Sequence, residues 1–355
     1  MKLHTDLAGD GQVVWHPTDP QRAWSVGVGD IVTATIDGGK HWTWANNGNS
    51  GLMLGSTFTF NTTAPDTLYI GSQDYNGALT ATGGATWEHV NLSRFRFGYV
   101  YGGYAAGPDL LFGGNGGHWG GKRKLFVMRG GNAPENVTDT GIELDGYPVC
   151  AGDPTAPNVL FAYNQRSTNR AATWSPMSGC DGVMTAMPSG TKALIGRNRK
   201  SLVSSIDHGA TWTSIAELTS DISDIAVDTK RSSFLVVAGE HLWRVTHGTS
   251  SDITNDIPAD QFGNHRIITF AIDPQDPEIQ YVGSRKDIYH YDGSVAMSHD
   301  GGATWSVITR SARLGVNNVG PDGGGEPQWI RVHPQSHSLY VGTNCYGMWR
   351  FNPKR

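Results

Sequence analysis

The sequence predicts an all-β chain, a single β-propeller of four-stranded blades. Three observations predict it: a polar turn repeated along the chain, apolar alternation broken by Pro corners, and a composition rich in glycine and aromatics. With 355 residues, 17% charged and 38% hydrophobic, the chain can bury a substantial core as one large all-β domain or two smaller ones. Forty-seven glycines and seventeen prolines among twelve Trp and twelve Tyr suit short strands and tight turns better than long helices.

The repeated turn reads TIDGGKHW from Thr35, SIDHGATW from Ser205 and SHDGGATW from Ser298, with worn copies TATGGATW from Thr80 and STNRAATW from Ser167. Two of the gaps, 87 and 93 residues, are about twice the narrower ones, so two further units lacking the turn are expected, one near Leu111 and one near Phe234. Within a unit, an alternating strand meets a Pro corner and a second strand ending in Gly, as in VVWHPTDPQRAWSVG from Val13, TFAIDPQDPEIQYVG from Thr269 and WIRVHPQSHSLYVG from Trp329. First strands fall near residues 13, 57, 99, 149, 184, 224, 269 and 329, giving eight units, or seven if two weak ones merge. The last lacks an outer strand. The N-terminal MKLHTDL is expected to supply it and to close residues 1–355 into one ring.

These turns resemble the Asp-box (BNR repeat): Ser or Thr, any residue, Asp, any, Gly, any, Thr, Trp. Thr35, Asp37, Gly39 and Trp42 fit it, as do Ser205, Asp207, Gly209, Thr211 and Trp212, and Ser298, Asp300, Gly302, Thr304 and Trp305. The chain thus resembles the Asp-box propellers, a group including sialidases, xyloglucan-active hydrolases, sortilin-type receptor domains and photosystem assembly factors. The resemblance implies that the turns join the two outer strands of a blade, opposite the ligand face. Asp37, Asp207 and Asp300 are then scaffold, their carboxylates capping backbone amides of their own turns.

The resemblance also implies that ligands meet the loops joining second and third strands, plus the loops between blades, around the mouth of the central channel. The second-to-third-strand loops are expected at GSQDYNG from Gly71, GGNGGHWGGKRK from Gly113, AYNQRSTNR from Ala162, GRNRKS from Gly196, GEH from Gly239, GSRKDIYHYDG from Gly283 and GTNCYG from Gly342. They combine aromatics, arginines and amides, groups that stack on sugar rings and bind hydroxyls or carboxylates, so a polysaccharide or oligosaccharide is the expected partner. The candidate catalytic acids are Asp74, Glu240 and Asp292; each also has a plain reading, as a turn cap, a solvated rim acid or a hairpin tip. Candidate substrate-binding residues are Tyr75, His118, Trp119, Arg197, Arg285, His290, Tyr291, Glu326 and Tyr346. Glu326 lies in the longest insertion, Thr309 to Trp329, which reads as a glycine-rich lid or as an exposed loop.

Glycoside hydrolysis is the favoured activity. A lyase acting on an acidic glycan, using Arg197, Arg285, His290 and Tyr291, is the first alternative, and a non-catalytic glycan-binding or assembly propeller the second. The Arg-Ile-Pro segment of sialidases is absent, and xyloglucan-active enzymes resemble two facing propellers where this chain has one. The net charge of -5, with signs mixed along the chain, argues against nucleic acid. No apolar run is long enough to span a membrane, and no cofactor is implied. An extracellular or secreted location, with any signal removed, is the expected compartment. Cys150, Cys180 and Cys345 have no close spacing; free thiols are favoured over a Cys150–Cys180 bridge.

Overall fold

Eight antiparallel sheets follow one another along the chain, each with its strands in sequential order. The structure is a computed structural model. It describes residues 12–26, 32–45, 57–61, 63–72, 76–92, 99–116, 123–145, 149–187, 193–257, 266–285, 293–310, 327–343 and 348–352. Numbered in chain order, the sheets of the blades span residues 12–44, 68–89, 99–144, 150–176, 182–217, 222–252, 266–310 and 327–351. The two blades expected without the repeated turn are the third and sixth, and the last has three strands, as expected; among the described residues the second also has three, and the first strand expected near residue 57 is represented only by a bridge between Thr57 and Gly102 of the third blade. The proposed pairing of residues 1–7 with the last blade lies outside the described residues.

First strands of neighbouring blades pack against one another around the centre. Central strands are more buried than period-two alternation led us to expect: Leu68–Ser72 and Leu339–Thr343 are buried along their whole length. A strand between two neighbouring blades is covered on both faces, so it tolerates apolar residues at successive positions.

The Pro corners between first and second strands share one device. Asp153 Oδ1 accepts the amides of Thr155 and Ala156 at 2.7 and 3.2 Å, and Asp273 Oδ1 those of Gln275 and Asp276 at 2.9 and 3.3 Å. Asn61 Oδ1 does the same for Thr63 and Ala64. In the His-Pro corners a ring nitrogen replaces the oxygen: His333 Nδ1 accepts from Gln335 and Ser336 at 3.2 and 3.1 Å. The remaining oxygen of two of these acids reaches the next blade, Asp153 Oδ2 to His208 Nδ1 at 2.8 Å and Asp273 Oδ2 to His337 Nδ1 at 2.6 Å.

The repeated turns join third to fourth strands. In the turn of blade 7, the Ser298 hydroxyl donates to Asp300 Oδ1 at 2.8 Å and accepts from Gly302 N, while Thr304 donates its amide and hydroxyl to the two Asp300 oxygens. These bonds, Thr304 foremost, hold the Asp300 carboxyl down at about 2. The worn turn at Ser167 keeps this pattern with Asn169 for Asp, and Ala171 adopts φ +63° where its counterpart Gly209 has φ +79°. At Gly209 the space is also closed: a Cβ would stand 2.6 Å from Cε1 of the fully buried Phe161. Gly209→Ala is therefore expected to cost about 3 kcal/mol, read by urea unfolding, because strain and overpacking add.

Blades 2 to 8 touch in order, and blade 8 returns to blade 2. At that seam Trp329 Nε1 donates to the Phe58 carbonyl at 2.8 Å, and Tyr340 Oη and Arg350 Nη1 both donate to the Gly83 carbonyl. Phe60 sits edge-on to both His333 and Tyr340. Burial lowers the His333 pKa below its ordinary 6.5, aided by Arg350 and opposed by Asp66, 3.4 Å away. Unfolding releases this histidine to bind a proton near 6.5, so its contribution is complete above that pH and is lost progressively as pH falls below it. The urea midpoint is expected to drop between pH 7.5 and 5.5, and His333→Asn, which supplies the acceptor Asn61 provides at its own corner, is expected to flatten that slope.

Among the described residues none of the six core clusters includes one of blade 1, and Val13, Val14, Trp15 and Trp24 are 40–59% exposed. Among the described residues the core clusters therefore run through blades 2 to 8. Cys150 and Cys180 are free, buried thiols, and burial pushes Cys180 up to about 12, which leaves it inert.

Candidate functional site

Sequential antiparallel order puts the repeated turns and Pro corners at one end of each blade and the second-to-third-strand hairpins at the other. The start of each first strand lies beside those hairpins, as the pairs Gly182 with Arg197, Ile222 with Ala238 and Arg266 with Arg285 show. Asp37, Asp207 and Asp300 therefore lie on the face opposite the hairpins. Three of the seven expected hairpins lie within the described residues, as two-residue turns at residues 163–164, 199–200 and 239–240, shorter than the loops expected from Ala162 and Gly196; the other four loops lie at least partly outside the described residues.

Glu240 and Arg285, predicted separately, meet on this face. Gly239 and Glu240 form a two-residue turn with φ +61° and +66°. The Glu240 carboxylate pairs with Arg285 through Oε1 and with Arg266 through Oε2 at 3.6 Å, while the Glu240 carbonyl accepts from Ile267 N at 2.8 Å. One acid on blade 6 thus holds two guanidinium groups of blade 7.

Arg197 lies one blade earlier. Its Nε is 3.3 Å from Asp181 Oδ1, and its Nη1 donates to the Ile222 carbonyl of blade 6. Asp181 Oδ2 accepts the Arg199 amide at 2.9 Å. The Arg197–Asp181 contact falls short of hydrogen-bond geometry, so both facing atoms are buried without a hydrogen-bond partner among the described residues. Tyr163 of blade 4 borders this cluster: burial, with Asp181 adding, raises its pKa and keeps the phenol a donor.

Asp74, Asp292, Tyr75, His118, Trp119, His290, Tyr291, Glu326 and Tyr346 lie outside the described residues. Asp181, Arg266 and Tyr163 were missed as site residues. Asp181 and Arg266 immediately precede or begin first strands, and aligning those strand starts with the hairpins would have marked them. Among the described residues no group of three or more His, Cys, Asp or Glu is placed to hold a metal ion. No helix among them is long and apolar enough to cross a membrane.

By sequence, the chain matches no protein-family model and no curated protein. By structure, it is similar to a GH74 xyloglucanase from Xanthomonas campestris, with a TM-score of 0.62 and 17% identity over 85% of this chain and 53% of that one. It is also similar to the extracellular domain of a putative hybrid two component system from B. thetaiotaomicron, with a TM-score of 0.56 and 12% identity over 87% and 39% of the two chains. The WD40 repeats of RRP9 match with a TM-score of 0.53 and 7% identity over 86% and 90%. The fold is a β-propeller. This propeller spans about half the length of the xyloglucanase it matches. At these identities the likeness concerns fold alone, and propellers serve many chemistries.

Proposed function

We propose that the propeller is a carbohydrate-active enzyme that hydrolyses glycosidic bonds of a polysaccharide on its hairpin face, acting outside the cell. The observation that carries this reading is the meeting of Glu240 with Arg285 and Arg266 on that face. An ion-paired carboxylate is an acceptor, so Glu240 fits the base or nucleophile of a two-carboxylate mechanism, and the arginines hold it in one orientation. Asp74, in the loop from Gly71, and Asp292, in the loop from Gly283, are the candidates for the proton donor. Carboxylates about 5–5.5 Å apart give retention of configuration, and a separation of about 6.5–9.5 Å gives inversion through an interposed water. The fold likeness to a xyloglucanase supports the reaction class, and the Asp-box pattern of the turns supports the wider group.

The test is incubation with neutral and acidic polysaccharides, following reducing ends and the ultraviolet absorbance of unsaturated uronates together. Reducing ends alone are expected. Both signals rising would replace hydrolysis with elimination. Neither signal, with retention on one immobilised glycan, would make the chain a binding propeller.

A further inference from the structure

Three successive blades place a large, non-glycine residue in the left-handed region at their second-to-third-strand hairpin: Tyr163 at φ +53°, Arg199 at φ +53° and Glu240 at φ +66°. Glycine and asparagine occupy such positions with least strain. The backbone itself has a structural use, because the Arg199 and Glu240 carbonyls accept from Ile222 N and Ile267 N, where the next blade's first strand begins. That use needs only the main chain. The side chains are unnecessary to it, and strain retained at a surface tip points to what the side chain does.

We infer that Tyr163 and Arg199 form an anion-reading subsite beside the Glu240 site, taking a carboxylate or sulfate group of an acidic polysaccharide. Arg197 is matched by Asp181, and Arg266 and Arg285 by Glu240. Arg199 is exposed and has no ion pair with another described residue, while its amide is fixed by Asp181 and its carbonyl by blade 6. A guanidinium on a fixed backbone in one hairpin, with the Tyr163 phenol in the corresponding hairpin of the preceding blade, offers donors for an oxyanion. Asp145 and Asp181 both act on the Tyr163 phenol. Asp181 is already engaged by Arg197 Nε and Arg199 N, and Asp145 is exposed. The Arg199–Ile222 bond and the Ile222–Ala238 pair connect this subsite to the Gly239–Glu240 turn, so one extended chain can cross blades 4 to 6.

This inference rests on the hairpin face being the glycan face. Wild type, Arg199→Asn, Arg199→Gln and Tyr163→Phe would be compared for retention on immobilised polygalacturonate, chondroitin sulfate and neutral xyloglucan, alongside Tm. Wild type is expected to be retained more strongly on at least one acidic glycan than on xyloglucan, and which one distinguishes carboxylate from sulfate. Both Arg199 variants should lose about 10-fold or more of that retention. Arg199→Asn should keep or raise Tm, because it relieves the left-handed residue. Arg199→Gln retains the strain without the charge and separates binding from folding. Unchanged acidic retention in both Arg199 variants, or wild-type retention on xyloglucan alone, overturns the anion subsite and leaves the carbohydrate reading standing. No retention and no turnover on any glycan overturns both.

Discussion

Glu240→Gln is expected to lower turnover of the polysaccharide about 10³-fold while Tm stays within a few degrees of wild type. The substitution keeps the shape of the side chain, removes the charge and turns one of the two acceptor oxygens into an NH2 donor, so one of the two arginines loses its acceptor. Arg285 and Arg266 then lose their counter-charge, but their side chains are 24% and 40% exposed, so solvent screens much of that loss and the folded state tolerates it. A proton acceptor, in contrast, cannot be replaced by water held elsewhere. The measurement is the initial rate of reducing-end release, with the thermal transition followed in parallel. Asp74→Asn and Asp292→Asn complete the series. Full activity in all three variants would remove the assignment of the acids, whereas loss in Glu240→Gln together with one other names the pair.

Asp224→Ala is expected to cost about 3–5 kcal/mol, the largest stability effect of any single replacement considered. Asp224 is fully buried on the first strand of blade 6. Its Oδ2 accepts from the Thr269 hydroxyl at 2.8 Å, the Phe270 amide at 3.0 Å and Arg331 Nη1 at 3.1 Å; its Oδ1 accepts from Arg331 Nη2 at 2.8 Å and from its neighbour Ile225 N. One carboxylate thus joins the first strands of blades 6, 7 and 8, and Arg331 in turn stacks 3.8 Å above the Trp329 ring. Removing the acid leaves a guanidinium, 15% exposed, with its principal partner gone. Removing both charges is a different matter: Asp224→Ala with Arg331→Met should recover much of the loss, because a buried pair contributes less than its broken half costs. Urea unfolding of the two single variants and the double variant gives the coupling directly. A loss below about 1 kcal/mol for Asp224→Ala would mean that water takes the carboxylate's place.

How much of this was legible follows from what repeats. The turns at Thr35, Thr80, Ser167, Ser205 and Ser298 recur in one chemical pattern, so they set the period, and with the period came the blade order and the place of the described hairpins at Tyr163, Arg199 and Glu240. Glu240 and Arg285 could be nominated because each stands in such a hairpin. Their partnership could not, because it joins residues 45 apart across a blade boundary. The same reason hid Asp224, which reads as one polar residue in an apolar strand until Arg331, 107 residues later, is brought to it. The alternation used to find strands also understated burial, since it reports one covered face and a blade has two. The exposure of Val13, Val14, Trp15 and Trp24 in blade 1 had no signal: VVWHPTDPQRAWSVG looks like the segments that pack in blades 7 and 8.

The clasp between Trp329 and the Phe58 carbonyl joins positions 271 residues apart. During synthesis, blade 2 emerges early and must wait, with one flank bare, until nearly the last residue of the propeller has left the ribosome. Until then the nascent chain is an open arc with two apolar ends, at which it can bind a chaperone or another arc instead of itself. The contact that finishes the molecule is also of very long sequence separation, so it forms late and slowly compared with the hairpins it joins. Variants weakened at Trp329, Tyr340 or Arg350 would therefore be lost first as insoluble chains in the cell, before any deficit could be measured in the purified protein.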